Sequence, residues 1–349
     1  MNILVTGGGG FIGSALCRII ARSGRHRAVN FDLMTYAANP LSNAELDGCD
    51  GYSFMRGDVR DAEALARAFD GCRPGGVIHL AAESHVDRSI DGPRAFLDTN
   101  IMGTYQLLQS AREYLDSGRA PDGFRLVHVS TDEVFGSLGP EGRFSETAPY
   151  DPSSPYSASK AAADHLARAW RRTYGVPTIV TNCSNNYGPR QFPEKLIPLV
   201  ILNAVEELPL PVYGDGGNVR DWLYVEDHAR ALLAVLESGA VGESYNIGGG
   251  AELANIDVVL AICRLLDARR PRAGGGRHED LAAFVPDRPG HDRRYAMDSR
   301  KITAELGWKP IEDFASGMAK TVDWYLGNPD WCGAVAADSY RRRLGKAKS

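Results

Sequence analysis

Three things are scarce in this chain, and each scarcity removes a class of protein. Its six cysteines, Cys17, Cys49, Cys72, Cys183, Cys263 and Cys332, include no CxxC pair. That excludes the usual zinc and dithiol motifs and predicts no metal site. Scattered thiols fit a reducing compartment. No apolar run approaches the ~18 residues needed to span a bilayer, and residues 1–7 carry neither a basic n-region nor a cleavage site. A soluble, cytoplasmic protein without membrane contact is expected. Positive charge is short as well: 39 Lys and Arg stand against 44 Asp and Glu, a net charge of −5. A nucleic-acid binder would show a basic face. The basic group Arg341, Arg342, Arg343, Lys346 and Lys348 reads as a solvated tail.

What remains is an ordinary globular composition, 44% hydrophobic and 24% charged over 349 residues. In the first half, β-rich runs at 3–6, 28–32, 53–57, 76–80, 124–130 and 177–182 alternate with helical stretches at 11–23, 62–69, about 93–115 and 155–174. That alternation predicts an α/β fold, a Rossmann-type doubly wound parallel sheet covered on both faces. After about residue 185 Gly, Pro and Asn become frequent, and helices are expected near 195–205, 225–236, 256–266 and 316–325. The reading is a first domain over 1–185, a smaller C-terminal α/β substrate-binding portion over 186–330 and a tail over 331–349. Residues 225–237 are expected to return to the first domain, and 272–280 to form a mobile loop.

Between the first strand and the first helix lies Thr6-Gly7-Gly8-Gly9-Gly10-Phe11-Ile12-Gly13. Gly7, Gly10 and Gly13 have a Gly-x-x-Gly-x-x-Gly spacing, which lets backbone approach a pyrophosphate while the helix N-terminus offers it N–H groups. A glycine run alone could be a tight turn; its place between strand and helix makes it a dinucleotide site. Asp32 ends the second strand, about 19 residues past Gly13. A carboxylate there accepts from both ribose hydroxyls and repels a 2′-phosphate, so NAD is favoured over NADP. Asp58 and Val59 would hold the adenine edge, and Leu80, Ala81 and Ala82 would give the dinucleotide a close passage. Phe11, Ile12, Leu33 and Thr35 join the cofactor set, with Thr99 and Asn100 as weaker candidates.

Tyr156 and Lys160 stand at i and i+4, on one face of a helix. The lysine is expected to lower the phenol's pKa, so that the tyrosine acts as a base toward a hydroxyl. Ser130-Thr131-Asp132-Glu133 closes the preceding strand, where open α/β sheets place ligands. A simple dehydrogenase needs only a hydroxyl there; Asp132 and Glu133 add the acid and base that elimination of water requires. Both could instead be turn or cap residues.

These segments are similar to the extended short-chain dehydrogenase/reductase superfamily and, within it, to the dTDP-glucose 4,6-dehydratases, which are hydro-lyases of deoxysugar biosynthesis. Beyond the glycine run, the resemblance is carried by Ala-Ala-Glu-Ser-His-Val-Asp-Arg-Ser-Ile at 81–90, Ser-Thr-Asp-Glu-Val-Phe-Gly at 130–136 and Pro-Tyr-Ser-Ala-Ser-Lys at 155–160. Asn-Cys-Ser-Asn-Asn-Tyr-Gly-Pro at 182–189, Pro-Glu-Lys-Leu-Ile-Pro at 193–198, Arg-Asp-Trp-Leu-Tyr-Val-Glu-Asp-His at 220–228 and Arg-Pro-Gly-His-Asp-Arg-Arg-Tyr at 288–295 extend it to about residue 328. The resemblance implies that Tyr156 takes the C4 hydroxyl proton as hydride passes to NAD, with Thr131 on the C4 oxygen. Glu133 would remove the C5 proton, Asp132 would protonate the departing C6 hydroxyl, and hydride would return to C6. It further implies Ser84, Glu133, Asn185, Lys195 and Leu196 around the sugar and diphosphate, and Pro211 and Tyr213 at the nucleobase. Arg220 and Arg288 bring fixed positive charge, Asn255 and His291 further nucleotide contacts, and Asn186 a contact to the nicotinamide. A homodimer through a four-helix bundle of 95–115 and 155–174 is implied too. Arg190, Gln191 and the Gly274–Gly276 loop depart from the family pattern.

Other readings are a 4-epimerase on the same fold, a dehydratase preferring UDP-glucose, an oxidoreductase that releases NADH, and a non-catalytic cofactor-binding regulator. An epimerase has no need of the Asp132-Glu133 pair, and a binding module none of Tyr156, Lys160, Asp132 and Glu133 together.

Overall fold

The computed structural model describes residues 1–287 and 289–336. Seven parallel strands form the main sheet: β1 (Asn2–Thr6), β2 (Arg27–Asp32), β3 (Tyr52–Arg56), β4 (Gly76–His79), β5 (Arg125–Thr131), β6 (Thr178–Cys183) and, after three short strands elsewhere, β10 (Ser244–Ile247). The spatial order is β10-β6-β5-β4-β1-β2-β3. The chain winds outward from β1 to β3, crosses back to β4 and winds outward again, so the winding direction reverses between β1 and β4. This is the expected doubly wound sheet, and the reversal opens a crevice at the strands' carboxyl ends.

Alternation along the strands feeds two cores. Ile3 and Val5 pack with Leu16 and Ile20 of the helix Phe11–Arg22 and with Leu232 and Leu236 of Val225–Ser238. Leu4 turns to the opposite face with Leu65, Phe69, Leu107 and Tyr114 of Ala62–Cys72 and Gly103–Asp116. Each of these buried aliphatic side chains contributes about 1.5–3 kcal/mol. The helix Pro155–Tyr174 has local reasons to start and stop where it does: Ser154 and Ser157 form a capping box, Pro155 opens it, and Gly175 closes it at φ 75°.

The second half builds its own core. β7 (Asn185–Tyr187), β9 (Val219–Tyr224) and β11 (Glu252–Ala254) form one small sheet, and β8 (Leu210–Tyr213) pairs with β12 (Ala282–Val285) in another. Tyr187, Ile197, Val258, Ile262 and Val322 pack between these sheets and the helices Leu196–Val205, Asn255–Arg269 and Phe314–Gly327.

Several local expectations change. Residues 331–336, read as the start of a tail, close the helix Pro329–Ala336, and Trp331 and Cys332 are buried in the second core. Arg341, Arg342, Arg343, Lys346 and Lys348 lie outside the described residues. The loop 272–280, read as mobile, is anchored: His278 begins a short 3₁₀ helix, is buried, and bonds Asp267 (2.6 Å), while Arg272 pairs with Glu207 (3.4 Å). The helical stretch at 93–115 is interrupted by a π-helical segment, Leu97–Met102. Among the described residues, no helix is long and apolar enough to cross a membrane.

Candidate active site

One cleft of about 390 Å³ follows the carboxyl ends of β1, β2, β4 and β5. Gly7, Gly10, Phe11, Ile12, Gly13, Asp32, Leu33, Thr35, Asp58, Val59, Leu80, Ala81, Ala82, Thr99 and Asn186 line it. So do Ser84, Thr131, Asp132, Glu133, Tyr156, Lys160, Asn185 and Lys195.

At one end the backbone is packed so closely that side chains are excluded. Gly7 sits at φ 76°, and a Cβ there would lie 2.6 Å from the Ala81 amide nitrogen. At Gly13 it would lie 2.1 Å from the Gly7 carbonyl oxygen. The helix after Gly10 has no side-chain cap and no acidic residue in its first turn, so its N-terminus is suited to an anion. Asp32 accepts from the Gly9 amide through Oδ2 (2.8 Å) and from the Met34 amide through Oδ1 (2.7 Å). Burial nevertheless leaves its carboxyl above the ordinary range. Asp58 is engaged by Arg60 of its own loop, with Nε 2.9 Å from Oδ1. These residues fit a dinucleotide: a glycine cradle at a helix N-terminus, with a carboxylate at the end of the neighbouring strand.

At the other end Thr131 caps the 3₁₀ turn Asp132–Phe135, its Oγ1 accepting from the Glu133 amide (3.3 Å) and donating to Asp132 Oδ1 (3.2 Å). Asp132 is 2% exposed, and its Oδ2 is buried without a hydrogen-bond partner among the described residues. Burial, then the charge of Glu133, pushes the Asp132 carboxyl well above its ordinary range, against Arg220. A buried carboxyl disposed to keep its proton is thereby set beside a second carboxyl group. Tyr156 faces this pair from the Pro155–Tyr174 helix with its ring edge-on to Phe96 (6.3 Å). Its phenol differs from the expectation. Burial and then Glu133 push it well above the ordinary tyrosine range, and only Thr131 opposes them. Lys160 Nζ donates to the Val129 carbonyl (2.8 Å), and burial lowers its own pKa.

The other residues expected at the substrate are not part of this lining. Tyr213 stands edge-on to His291 (6.3 Å) and donates to Asp87 (3.4 Å); His291 is 2.5 Å from Asp287. Arg220 is buried, lies 4.3 Å over the Tyr295 ring and donates to the Asp292 carbonyl (2.9 Å). Pro211 pairs with Ala283 across β8 and β12, while Leu196 and Asn255 open their helices. Arg288 lies outside the described residues. Within the cleft lining, Lys195 Nζ donates to the Ser84 carbonyl (3.0 Å).

Sequence reasoning underrated Asn100, which sits in the π-helical segment. Its Oδ1 accepts from the Glu83 amide (2.9 Å), and its Nδ2 donates to the Glu83 carbonyl (3.0 Å) and to Ser159 (2.9 Å), tying the 80–84 loop to the Tyr156 helix. It missed His228, which holds Asn186 Oδ1 at 2.9 Å, and Tyr36, stacked 3.7 Å below the Arg88 guanidinium at the rim. Arg190 stands 3.5 Å from Glu45 and over Trp324.

Fold and cleft together define an extended short-chain dehydrogenase/reductase. Residues 4–321 match the family model described as GDP-mannose 4,6 dehydratase. The chain is 58% identical to a dTDP-glucose 4,6-dehydratase of Neisseria meningitidis serogroup B, over 99% of each chain. It is 57% identical to dTDP-glucose 4,6-dehydratase 1 of Escherichia coli, over 98% of this chain and 97% of the relative. Among solved structures, the dTDP-glucose 4,6-dehydratase DesIV of Streptomyces venezuelae, determined with NAD bound, superposes with a TM-score of 0.88 at 44% identity, covering 96% of this chain and all of that one (100%). The chain belongs to the dTDP-glucose 4,6-dehydratase family.

Proposed function

We propose that the protein is an NAD-dependent hydro-lyase that converts dTDP-glucose to dTDP-4-keto-6-deoxyglucose. The observation that carries this reading is the buried Asp132 carboxyl beside Glu133, in one cleft with Tyr156, Thr131 and the glycine cradle. Gly7, Gly10, Gly13, Asp32 and Lys160 would hold the cofactor. When bound, NAD supplies positive charge and a hydride acceptor for C4 that gives the hydride back at C6.

Tyr156 takes the C4 hydroxyl proton, and Thr131 hydrogen-bonds the C4 oxygen. Lys160 is the chain's own positive charge on the tyrosine's helix face, set against the burial that disfavours a phenolate. Once C4 is a ketone, the C5 hydrogen is acidic and Glu133 can remove it. Asp132, held neutral, has a proton to give the C6 hydroxyl, which leaves as water. Glu133 then returns a proton to C5. A 4-epimerase would have no use for that buried acid. Ser84, Asn185, Lys195 and Leu196 are assigned to the sugar and diphosphate, and Pro211, Tyr213, Arg220, Asn255, Arg288 and His291 to the nucleotide.

The same proposal includes a homodimer through a four-helix bundle. Leu97, Met102, Tyr105 and Tyr174 expose apolar surface on the two helices concerned, Met102 at 52%. It also includes a cytoplasmic location, which six free cysteines fit. The test is incubation of purified protein with dTDP-glucose and no added reductant. A product lighter by one water supports the reading; unchanged mass, or net accumulation of reduced cofactor, contradicts it.

A further inference from the structure

Behind the reacting groups lies a buried cluster that the mechanism above does not use. Asp164 stands one helical turn past Lys160, so Tyr156, Lys160 and Asp164 share one face of Pro155–Tyr174. Its carboxylate is fully buried and collects donors from three other segments. Oδ2 accepts from Ser130 Oγ (2.8 Å), Tyr150 OH (2.8 Å) and Asn182 Nδ2 (3.4 Å), and Oδ1 lies 3.1 Å from His128 Nε2. Ser130 immediately precedes Thr131, and Asn182 Nδ2 also donates to the Thr131 carbonyl (3.1 Å). One side chain therefore joins the strand end that bears Thr131, Asp132 and Glu133 to the helix that bears Tyr156 and Lys160.

We propose that Asp164 is a positioning residue: it holds that strand end in register with the helix and is the buried counter-charge that keeps Lys160 an ammonium. Among the described residues, Asp164 is the carboxylate that bears on Lys160. β4 and β5 bring His79 and His128, both held below the ordinary histidine range by burial first and hence neutral. β6 brings Cys183, whose thiol burial pushes up to about 12. Tyr150 comes from the loop before the helix, and Arg168 from the helix itself, donating to Tyr150 OH (2.8 Å). Asp132 and Glu133 are not among the groups that act on Lys160. Burial opposes ionisation of Asp164, but His128, Lys160 and Ser130 together hold its carboxyl below the ordinary range, so it carries the charge. Burial lowers Lys160, and Asp164 is the first influence opposing that.

This inference rests on the roles proposed for Tyr156 and Lys160. Turnover of dTDP-glucose by the wild type tests those roles separately, since a wild type that releases no dehydrated product sinks the function whatever Asp164 does. The experiment compares wild type, Asp164→Asn, Ser130→Ala and Tyr150→Phe. It measures kcat across pH and, by protein fluorescence, NAD binding to cofactor-stripped protein across pH. Asp164→Asn should lower kcat at least about tenfold near neutrality and shift the alkaline limb of both curves down by about one pH unit or more. The sign follows because a lysine without its counter-charge loses its proton at lower pH. Ser130→Ala and Tyr150→Phe keep the charge but each remove one hydrogen bond to Asp164, and should lower kcat about fivefold with both limbs unmoved. A loss in Asp164→Asn that is equal at every pH, with an unshifted NAD-binding limb, overturns the counter-charge role. Should Asp164→Asn fail to fold, the two neutral variants decide the positioning role, and wild-type kcat in both overturns it.

Discussion

Thr131 donates its hydroxyl to Asp132 Oδ1 at 3.2 Å, while Oδ2 of the same carboxyl is buried with no hydrogen-bond partner among the described residues. Burying an anion there costs more than burying a neutral acid. Asp132→Asn should therefore keep the shape, still oxidise C4, and lose about 10²- to 10⁴-fold in kcat. Single-turnover absorbance of reduced cofactor, read beside product formation, checks both halves.

The same carboxyl makes a prediction about stability. Its folded-state pKa is raised, so its contribution favours folding below the unfolded carboxyl's value, near about 3.9, and is lost as pH rises through the folded value. Asp132→Asn removes that loss. Its Tm should exceed the wild type's at neutral and alkaline pH, with the gap closing toward acid. Melting curves across pH decide it, and a gap that widens toward acid would contradict the assignment.

Glu133→Gln cannot take the C5 proton. It should reduce bound NAD and then stall, so that reduced cofactor accumulates while dehydrated product falls at least about 100-fold. Rapid-mixing absorbance with mass analysis of the quenched sugar nucleotide is the check. Product at the wild-type rate would remove Glu133 from the mechanism.

The glycine cradle separates two substitutions of equal size. A Cβ at Gly13 meets the Gly7 carbonyl at 2.1 Å, whereas one at Gly10 meets it at 3.4 Å, an ordinary contact. Gly13→Ala should cost about 1–3 kcal/mol through forced backbone shifts and lose NAD on purification. Gly10→Ala should cost less and keep it. Thermal melts and cofactor content of the purified variants read this out.

Charge placed on the exposed apolar strip should separate the subunits. Met102→Glu together with Tyr105→Glu buries two carboxylates in any bundle formed by those helices, so sedimentation should find a monomer where the wild type gives a dimer. A monomeric wild type would end the bundle proposal.

Much of this cleft could be read from local pattern. The glycine spacing, Asp32 and the Tyr156–Lys160 pair are short-range features, and the strand end at Thr131 follows from strand–helix alternation. What stayed hidden depends on contacts distant in sequence. β10 completes the main sheet by pairing Ser244 with Val180, which its four residues do not announce. The π-helical segment that aims Asn100 at Glu83 has no composition signature. Glycines made 272–280 look mobile, yet Arg272 and His278 find acidic partners on neighbouring segments. Tyr156 is the sharpest case. Its spacing from Lys160 suggested a lowered pKa, but burial and then Glu133 raise it, and burial is a property of the whole fold.

The central claim is that hydride leaves C4 and returns to C6 of the same sugar while water is lost. Turnover of dTDP-glucose deuterated at C4, with NMR and mass analysis of the product, tests it most directly. The account predicts a 4-keto-6-deoxy sugar lighter by one water, with the deuterium on C6. Deuterium remaining at C4, lost to solvent or found on released cofactor would contradict it.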